Sequence, residues 1–204
     1  MSTTTKSLYL VLYNALSAAL WARVLLATLT TSPFSLYPSI EPWARGTQSL
    51  AVAEIFHAAL GITRASVFTT FTQVFARCVQ VWAVDYGYPQ LFSPSSGGAG
   101  PAVYAAMLLA WSLADFVRHA YFVLLLAGPA VPRWLTWLRY SLFFALYPVG
   151  IGAEWFLMRG AARAAGPVSS AVYYFCLALY VPGAVTMYSH MVKQRRKTLY
   201  GRSR

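Results

Sequence analysis

The chain has 204 residues, of which 58% are hydrophobic and only 10% are charged. A soluble domain carries roughly 25% charged residues, so this composition indicates a membrane protein. The 16 Lys and Arg residues outnumber the five acidic residues and give a formal charge of +11. Nucleic-acid binding is not expected, because it requires a soluble basic face that this chain lacks. Both cysteines lie in apolar runs, which provides neither a disulfide framework nor a metal-ligand cluster.

The apolar segments predict an all-α fold, a multi-pass membrane bundle of six transmembrane helices. A membrane helix needs about 20 mostly apolar residues. Four segments meet this requirement clearly: Leu8–Leu29, Val103–Leu126, Trp134–Met158 and Val168–Val192. Val67–Val84 is shorter but its flanks still permit a span, and Thr47–Thr63 is the weakest because two ionisable side chains dilute it.

Prolines and glycines divide these segments. Pro33, Pro38 and Pro42 are expected to break the chain after the first span, and residues 93–101 should form a flexible loop before the fourth. There is no internal repeat and no room for a soluble domain. Residues 1–192 are therefore predicted to form a single membrane domain, followed by a basic tail over residues 193–204.

The basic residues predict the orientation of the bundle. Six of them lie in the tail: Lys193, Arg195, Arg196, Lys197, Arg202 and Arg204. With six spans both termini share one side, and that side also holds Lys6, Arg64 and Arg133. The opposite side holds Arg45, Arg159 and Arg163. This asymmetry favours cytoplasmic termini, with the tail beside anionic lipid headgroups.

Polar side chains inside the spans recur at helical spacing. Gln73 and Arg77 share one face, as do Glu54 and His57. The fourth span has a third such group: Asp115, Arg118 and His119. Because such groups cannot face lipid cheaply, we expect them to converge on one interior cleft. There, Glu54, Arg77, Asp115 and Arg118 either pair to hold the bundle together or act on a substrate.

Tyr147 and Glu154 are the most informative pair. They lie seven residues apart in one apolar run and roughly 20° apart around an ideal helix. An ionisable group near mid-bilayer costs about 2.5–3.5 kcal/mol on insertion scales and usually marks function. Their separation along a straight helix is about 10.5 Å, but Pro148 is expected to bend the helix. Gly150 permits close approach of a neighbouring helix or an acyl chain.

These stretches resemble the very-long-chain (3R)-3-hydroxyacyl-CoA dehydratases, also called protein tyrosine phosphatase-like proteins. The resemblance covers nearly the whole chain and is carried by these motifs: Tyr9-Leu-Val-Leu-Tyr-Asn14 with Trp21, Glu54-Ile-Phe-His57 with Gly61, Thr72-Gln73-Val74 with Arg77, Ala110-Trp-Ser-Leu-Ala-Asp-Phe-Val-Arg118, and Arg139-Tyr140 through Tyr147-Pro-Val-Gly150 to Glu154. The last is the most specific. The chain departs from the family pattern at three positions, where Asp115, His119 and Ala76 replace the usual Glu, Tyr and Ser.

The resemblance implies dehydration of a (3R)-3-hydroxyacyl-CoA to the trans-2-enoyl-CoA, the third step of very-long-chain fatty-acid elongation. It assigns Tyr147 and Glu154 as the catalytic pair, with the choice of base and acid left open. The supporting or substrate-binding residues would be Glu54, Gln73, Arg77, Asp115, Arg118, Arg139 and Gly150. It also implies a multi-pass protein of the endoplasmic reticulum membrane, in contact with the lipid bilayer and other elongation enzymes. Neither a cofactor nor a metal is required.

Two other functions are compatible with the residues. One is a non-catalytic acyl-CoA-binding scaffold of the elongation complex; the other is a small transporter, because buried charged residues also form ion relays. Phosphatase activity is rejected. His57 to Arg64 has the spacing of a phosphatase signature, but Ala58 replaces the nucleophilic cysteine, so no phosphocysteine can form.

Overall fold

The computed structural model of the protein describes residues 3–93, 98–128 and 130–201. These residues form an all-helical bundle. Its α-helices are α1 (Thr3–Thr30), α2 (Pro33–Leu50), α3 (Val52–Ala59), α4 (Val67–Val79), α5 (Gly100–Ala127), α6 (Arg133–Ser141), α7 (Phe143–Ala164) and α8 (Pro167–Tyr200). A π-helix (Gln80–Asp85) continues α4, and a 3₁₀ turn (Pro89–Phe92) follows it.

The segment made of α2 and α3 runs antiparallel to α1 along most of its length. Near one end, the Tyr9 hydroxyl lies 2.7 Å from Nε2 of His57. Near the other, the guanidinium of Arg23 lies 3.8 Å from the ring centroid of Trp43. The chain therefore turns sharply after α1 and returns along it.

The prediction that three prolines break the chain after the first span is confirmed at Pro33 but wrong for Pro38 and Pro42. Pro33 occupies the start of α2, where its missing amide has no helical partner to lose. Pro38 and Pro42 lie inside the same helix. A second interruption falls at Ala51, between α2 and α3. The expected Thr47–Thr63 span is thus only the second part of a longer helical segment that begins at Pro33.

The next helical segment, α4 with its π-helix, runs back antiparallel to α2. Ser66 caps its start, accepting a 3.4 Å hydrogen bond from the Thr69 amide. Further along, Nε1 of Trp82 donates to the Ser49 hydroxyl at 2.9 Å, and the Arg45 guanidinium lies 4.4 Å from the Trp82 ring centroid. The predicted Val67–Val84 span corresponds closely to this segment.

The helix α5 lies at the centre of the bundle, packed against α1, α2 and α7. Trp21, Met107, Leu108 and Leu157 belong to the buried core between these helices. Gly128 ends α5 with φ of +98°, a left-handed conformation that favours glycine. Of the predicted loop 93–101, residues 94–97 lie outside the described ranges, and residues 100 and 101 already belong to α5.

The last two predicted spans differ in detail from the structure. The Trp134–Met158 span is divided at Leu142 into α6 and α7, and α7 continues through Pro148. The final helix extends to Tyr200, so the basic tail continues α8 as far as that residue; Arg202 and Arg204 lie outside the described residues.

Four helical segments within the described residues are long and apolar enough to cross a membrane. They are residues 4–30, 100–127, 133–164 and 167–200. All four overlap the four clear spans expected from the sequence. The all-helical fold is thus confirmed, with four candidate membrane spans among the described residues.

Candidate functional site

Four of the predicted site residues form one ion-pair network in the bundle interior. An Nη atom of Arg77 lies 2.5 Å from Asp115, and Nε of Arg118 lies 3.1 Å from the other oxygen of the same carboxylate. Arg118 also makes two hydrogen bonds, of 2.8 and 2.9 Å, to the Glu54 carboxylate. The expected convergence of α3, α4 and α5 is therefore confirmed for these four residues.

His119 extends this network to α1. Its Nε2 lies 3.1 Å from Arg118, and its Nδ1 lies 2.8 Å from Oδ1 of Asn14. Both His119 and Asn14 are buried. Asn14 was not singled out as a site residue, because one amide in an apolar helix gives no sign of its partner on another helix.

Glu154 is buried, with 5% of the residue exposed, and both of its carboxylate oxygens are hydrogen-bonded. Nε1 of Trp111 on α5 donates to Oε1 at 2.8 Å. The Tyr180 hydroxyl on α8 donates to Oε2 at 2.9 Å. The Arg77 guanidinium lies 3.9 Å from the Trp111 ring centroid. The indole thus connects the ion-pair network to the carboxylate of Glu154.

Tyr147 is half-buried and contacts α8, the same helix that provides Tyr180. Its hydroxyl lies 3.4 Å from the carbonyl of Ala184, four residues after Tyr180 in the same helix. Four residues correspond to roughly 6 Å along the α8 axis. Among the described residues, no hydrogen bond joins Tyr147 to Glu154. Residues about one turn apart on α8 therefore contact the two predicted catalytic side chains.

The remaining predicted residues have separate surroundings. Gln73 is exposed and donates to Sδ of Met187 at 3.0 Å, so it does not join the interior network. Arg139 on α6 is half-buried near the rings of Phe122 and Tyr140, and no carboxylate forms an ion pair with it within the described ranges.

Gly150 lies where α7 approaches α5 closely. A Cβ added to it would stand 3.6 Å from the Trp111 ring, an ordinary van der Waals distance. Alanine would therefore fit at this position, whereas a longer side chain would push against the indole that holds Glu154.

The charges of the site fall into two groups. Arg77 and Arg118 balance Asp115 and Glu54 within the network. Glu154 has hydrogen-bond donors but no salt bridge among the described residues. A buried carboxyl group next to a phenol, held by fixed donors, has the functional groups that proton transfer requires.

Sequence reasoning missed Trp111 and Tyr180, although both lie in stretches that it used. Trp111 falls in the motif around Asp115, and Tyr180 stands two residues before a proline in the last span. An aromatic residue in a membrane helix usually serves packing or the lipid interface, so neither residue type points to a carboxylate. They are recognised as site residues only in the structure, where the packing of three helices brings their polar atoms to Glu154.

The fold and site together define a multi-helix membrane protein with a buried polar interior. Residues 48–201 match the sequence model of the family described as protein tyrosine phosphatase-like protein, PTPLA, and the chain belongs to that family. No solved structure matches it significantly.

Relatives from fungi, plants and animals align with nearly the whole chain. The probable very-long-chain (3R)-3-hydroxyacyl-CoA dehydratase of Schizosaccharomyces pombe is 36% identical, covering 97% of this chain and 95% of that protein. The dehydratase PASTICCINO 2 of Arabidopsis thaliana is 31% identical over 95% of this chain and 94% of its own. The human very-long-chain (3R)-3-hydroxyacyl-CoA dehydratase 2 is 32% identical, covering 94% of this chain and 80% of the human protein.

Proposed function

We propose that this chain is a very-long-chain (3R)-3-hydroxyacyl-CoA dehydratase, a lyase that forms the trans-2-enoyl-CoA in the third step of fatty-acid elongation. The observation that carries the proposal is the near-complete alignment with proteins that bear this name in three kingdoms. The buried carboxyl group of Glu154 and the phenol of Tyr147, both in contact with α8, provide matching chemistry.

Dehydration removes a proton from C2 and hydroxide from C3, so a base and an acid must reach adjacent carbons. Tyr147 and Glu154 are proposed as these two groups, with the hydroxyacyl carbons held between them beside α8. Tyr147 takes the C2 proton and Glu154 assists departure of the hydroxyl, or the two roles are exchanged. Either assignment requires both side chains to face the substrate at once.

The supporting residues are proposed to have different roles according to whether they belong to the ion-pair network. Arg77, Arg118, Asp115 and Glu54 neutralise one another, so they serve mainly to fix α3, α4 and α5 around the site. Arg139 lacks a carboxylate partner within the described ranges and is the better candidate for a CoA phosphate or the thioester carbonyl. Gly150 keeps α7 close to Trp111. Gln73, being exposed, is proposed only as a contact for the acyl chain or lipid.

The test is a dehydration assay on purified protein in detergent, with (3R)-3-hydroxyacyl-CoAs of graded length. The expected result is the enoyl-CoA from the wild-type chain and a loss of about 10²–10⁴-fold in kcat for Tyr147→Phe. Tyr174→Phe is the matched control, because Tyr174 is exposed on α8. Substrate binding without turnover by the wild-type protein would instead favour the scaffold function, and solute flux in proteoliposomes the transporter.

We further propose six membrane spans, with α2 and α3 as the second and α4 with its π-helix as the third. The antiparallel packing of these segments on α1 and on α2 supports the proposal. The third span has 13 residues in α4 and six in the π-helix, about 28 Å of helix, which approaches the thickness of a hydrocarbon core.

Six spans place both termini on one side, proposed to be the cytoplasmic side of the endoplasmic reticulum membrane, where other elongation enzymes are the proposed partners. Glycosylation tags at either terminus should remain unmodified in microsomes. A tag in the 93–101 connection should be modified, because three spans separate this connection from the N-terminus and place it on the lumenal side. Modification of a terminal tag would contradict this topology.

A further inference from the structure

We propose that Tyr180 is a positioning residue for Glu154, which holds its carboxyl group in one orientation and stays hydrogen-bonded to it when the protonation state of Glu154 changes. This inference rests on the proposed dehydratase function and adds a residue outside the catalytic pair. The 2.9 Å hydrogen bond from the Tyr180 hydroxyl to Oε2 of Glu154 carries it.

The carboxyl group is held from two sides by different helices. Trp111 on α5 bonds Oε1 and Tyr180 on α8 bonds Oε2, while Glu154 itself is on α7. A planar group with both oxygens bonded to separate helices has a single orientation. Tyr180 lies one turn from Ala184, whose carbonyl accepts from Tyr147, so neighbouring positions of α8 contact both members of the proposed catalytic pair.

The two donors are chemically different. The indole nitrogen of Trp111 can only donate, so it suits an oxygen that never carries a proton. A phenol both donates and accepts. When Glu154 is ionised, the Tyr180 hydroxyl donates to Oε2. When Oε2 takes up a proton, its O–H can donate to the Tyr180 oxygen instead, and the phenolic hydrogen rotates away. Oε2 is thus the oxygen that exchanges the proton with substrate, and Tyr180 makes and breaks no covalent bond.

Tyr180 is itself held firmly on the inward side of α8. Leu177 and Tyr173, about one and two turns before it, are buried on the same stripe of the helix. The Tyr173 hydroxyl also donates across the bundle, to the Ala83 carbonyl at 2.9 Å. Tyr173 therefore offers a matched control: it loses one interhelical hydrogen bond from the same helix but does not touch Glu154.

The test compares Tyr180→Phe with Tyr173→Phe in the purified full-length protein, using a 3-hydroxyacyl-CoA that the wild-type chain dehydrates. For Tyr180→Phe we expect kcat to fall about 10- to 100-fold, the usual effect of one hydrogen bond to a charged group, with KM within about twofold of wild type. For Tyr173→Phe we expect kcat within about threefold of wild type. The midpoint temperature of thermal unfolding should fall by a similar amount in both variants, because each loses one hydrogen bond.

Equal kcat values for the two variants, or a change in KM alone, would overturn the positioning role. Absence of turnover by the wild-type protein would instead reject the proposed dehydratase function, so the two failures are distinguishable. If Tyr180→Phe does not fold, Tyr180→His tests the same point, because imidazole also donates and accepts. Its kcat should stay within about tenfold of wild type, and loss of dehydration by the folded His variant would contradict the inference.

Discussion

Replacing Asp115 by Asn removes one charge from the centre of the ion-pair network while nearly preserving side-chain volume. The carboxylate lies between Arg77 at 2.5 Å and Arg118 at 3.1 Å, and only 9% of the Asp115 side chain is exposed. Removing one partner of a buried pair typically costs about 3–5 kcal/mol, because it leaves an uncompensated buried charge.

The destabilisation caused by Asp115→Asn should fall at the lower end of this range of about 3–5 kcal/mol. Arg118 keeps both of its hydrogen bonds to Glu54, so the loss falls mainly on Arg77. The Arg77 guanidinium retains its contact with the Trp111 ring, and cation–π contacts are worth about 2 kcal/mol when desolvated. We therefore expect about 3 kcal/mol of destabilisation, a change of roughly 150-fold in the folding equilibrium.

The assay is equilibrium unfolding in mixed micelles with increasing denaturing detergent, followed by circular dichroism. Asp115→Glu is the control, because it keeps the charge; its added methylene should cost about 1 kcal/mol, the low end of the range for overpacking. The reasoning is refuted if Asp115→Asn unfolds at the same detergent fraction as wild type, or if Asp115→Glu is as unstable as Asp115→Asn. Combining Asp115→Asn with Arg77→Met should recover part of the loss, because the stranded charge is then removed.

Three further substitutions test the site. Glu154→Gln should lower kcat about 10²–10⁴-fold. Glu41→Gln is its control, because it removes another buried carboxylate, and it should leave more than a tenth of wild-type kcat. Equal losses of kcat in the dehydration assay would contradict a special role for Glu154. Arg139→Gln should raise KM for the acyl-CoA about tenfold, with Arg139→Lys intermediate, and an unchanged KM would exclude Arg139 from substrate binding. Gly150→Ala should keep near-normal activity, whereas Gly150→Leu should destabilise the protein by about 1–3 kcal/mol in the unfolding assay. Equal stability of these two variants would show that α7 and α5 are not closely packed there.

The spans were predictable where hydropathy alone decides them. The first, fourth, fifth and sixth expected spans all overlap helices that are long and apolar enough to cross a membrane. The second was misplaced, because Pro38 and Pro42 were expected to interrupt the chain and instead lie inside α2. Each proline removes one amide hydrogen-bond donor, but the sequence does not show where tertiary contacts compensate for this loss and let the helix continue.

The ion-pair network was predictable in membership but not in connectivity. Helical spacing indicated that Asp115 and Arg118 share a face, and the cost of burial indicated that Glu54 and Arg77 point inward. Which arginine pairs with which carboxylate depends on the positions of α3, α4 and α5, which local periodicity does not specify. Gln73 shares the spacing of Arg77 yet is exposed, because an uncharged amide at the edge of that face has less need of a buried partner.

The amino-acid sequence by itself determined that this protein is helical, lies in a membrane and carries Tyr147 and Glu154 on one helix. These properties follow from composition and from spacing along a single chain segment, which are local quantities. Only the tertiary structure decided that Trp111 and Tyr180, from α5 and α8, hold the Glu154 carboxyl group. Those partners are 43 and 26 residues away in the chain, and no local pattern encodes the helix packing that brings them together.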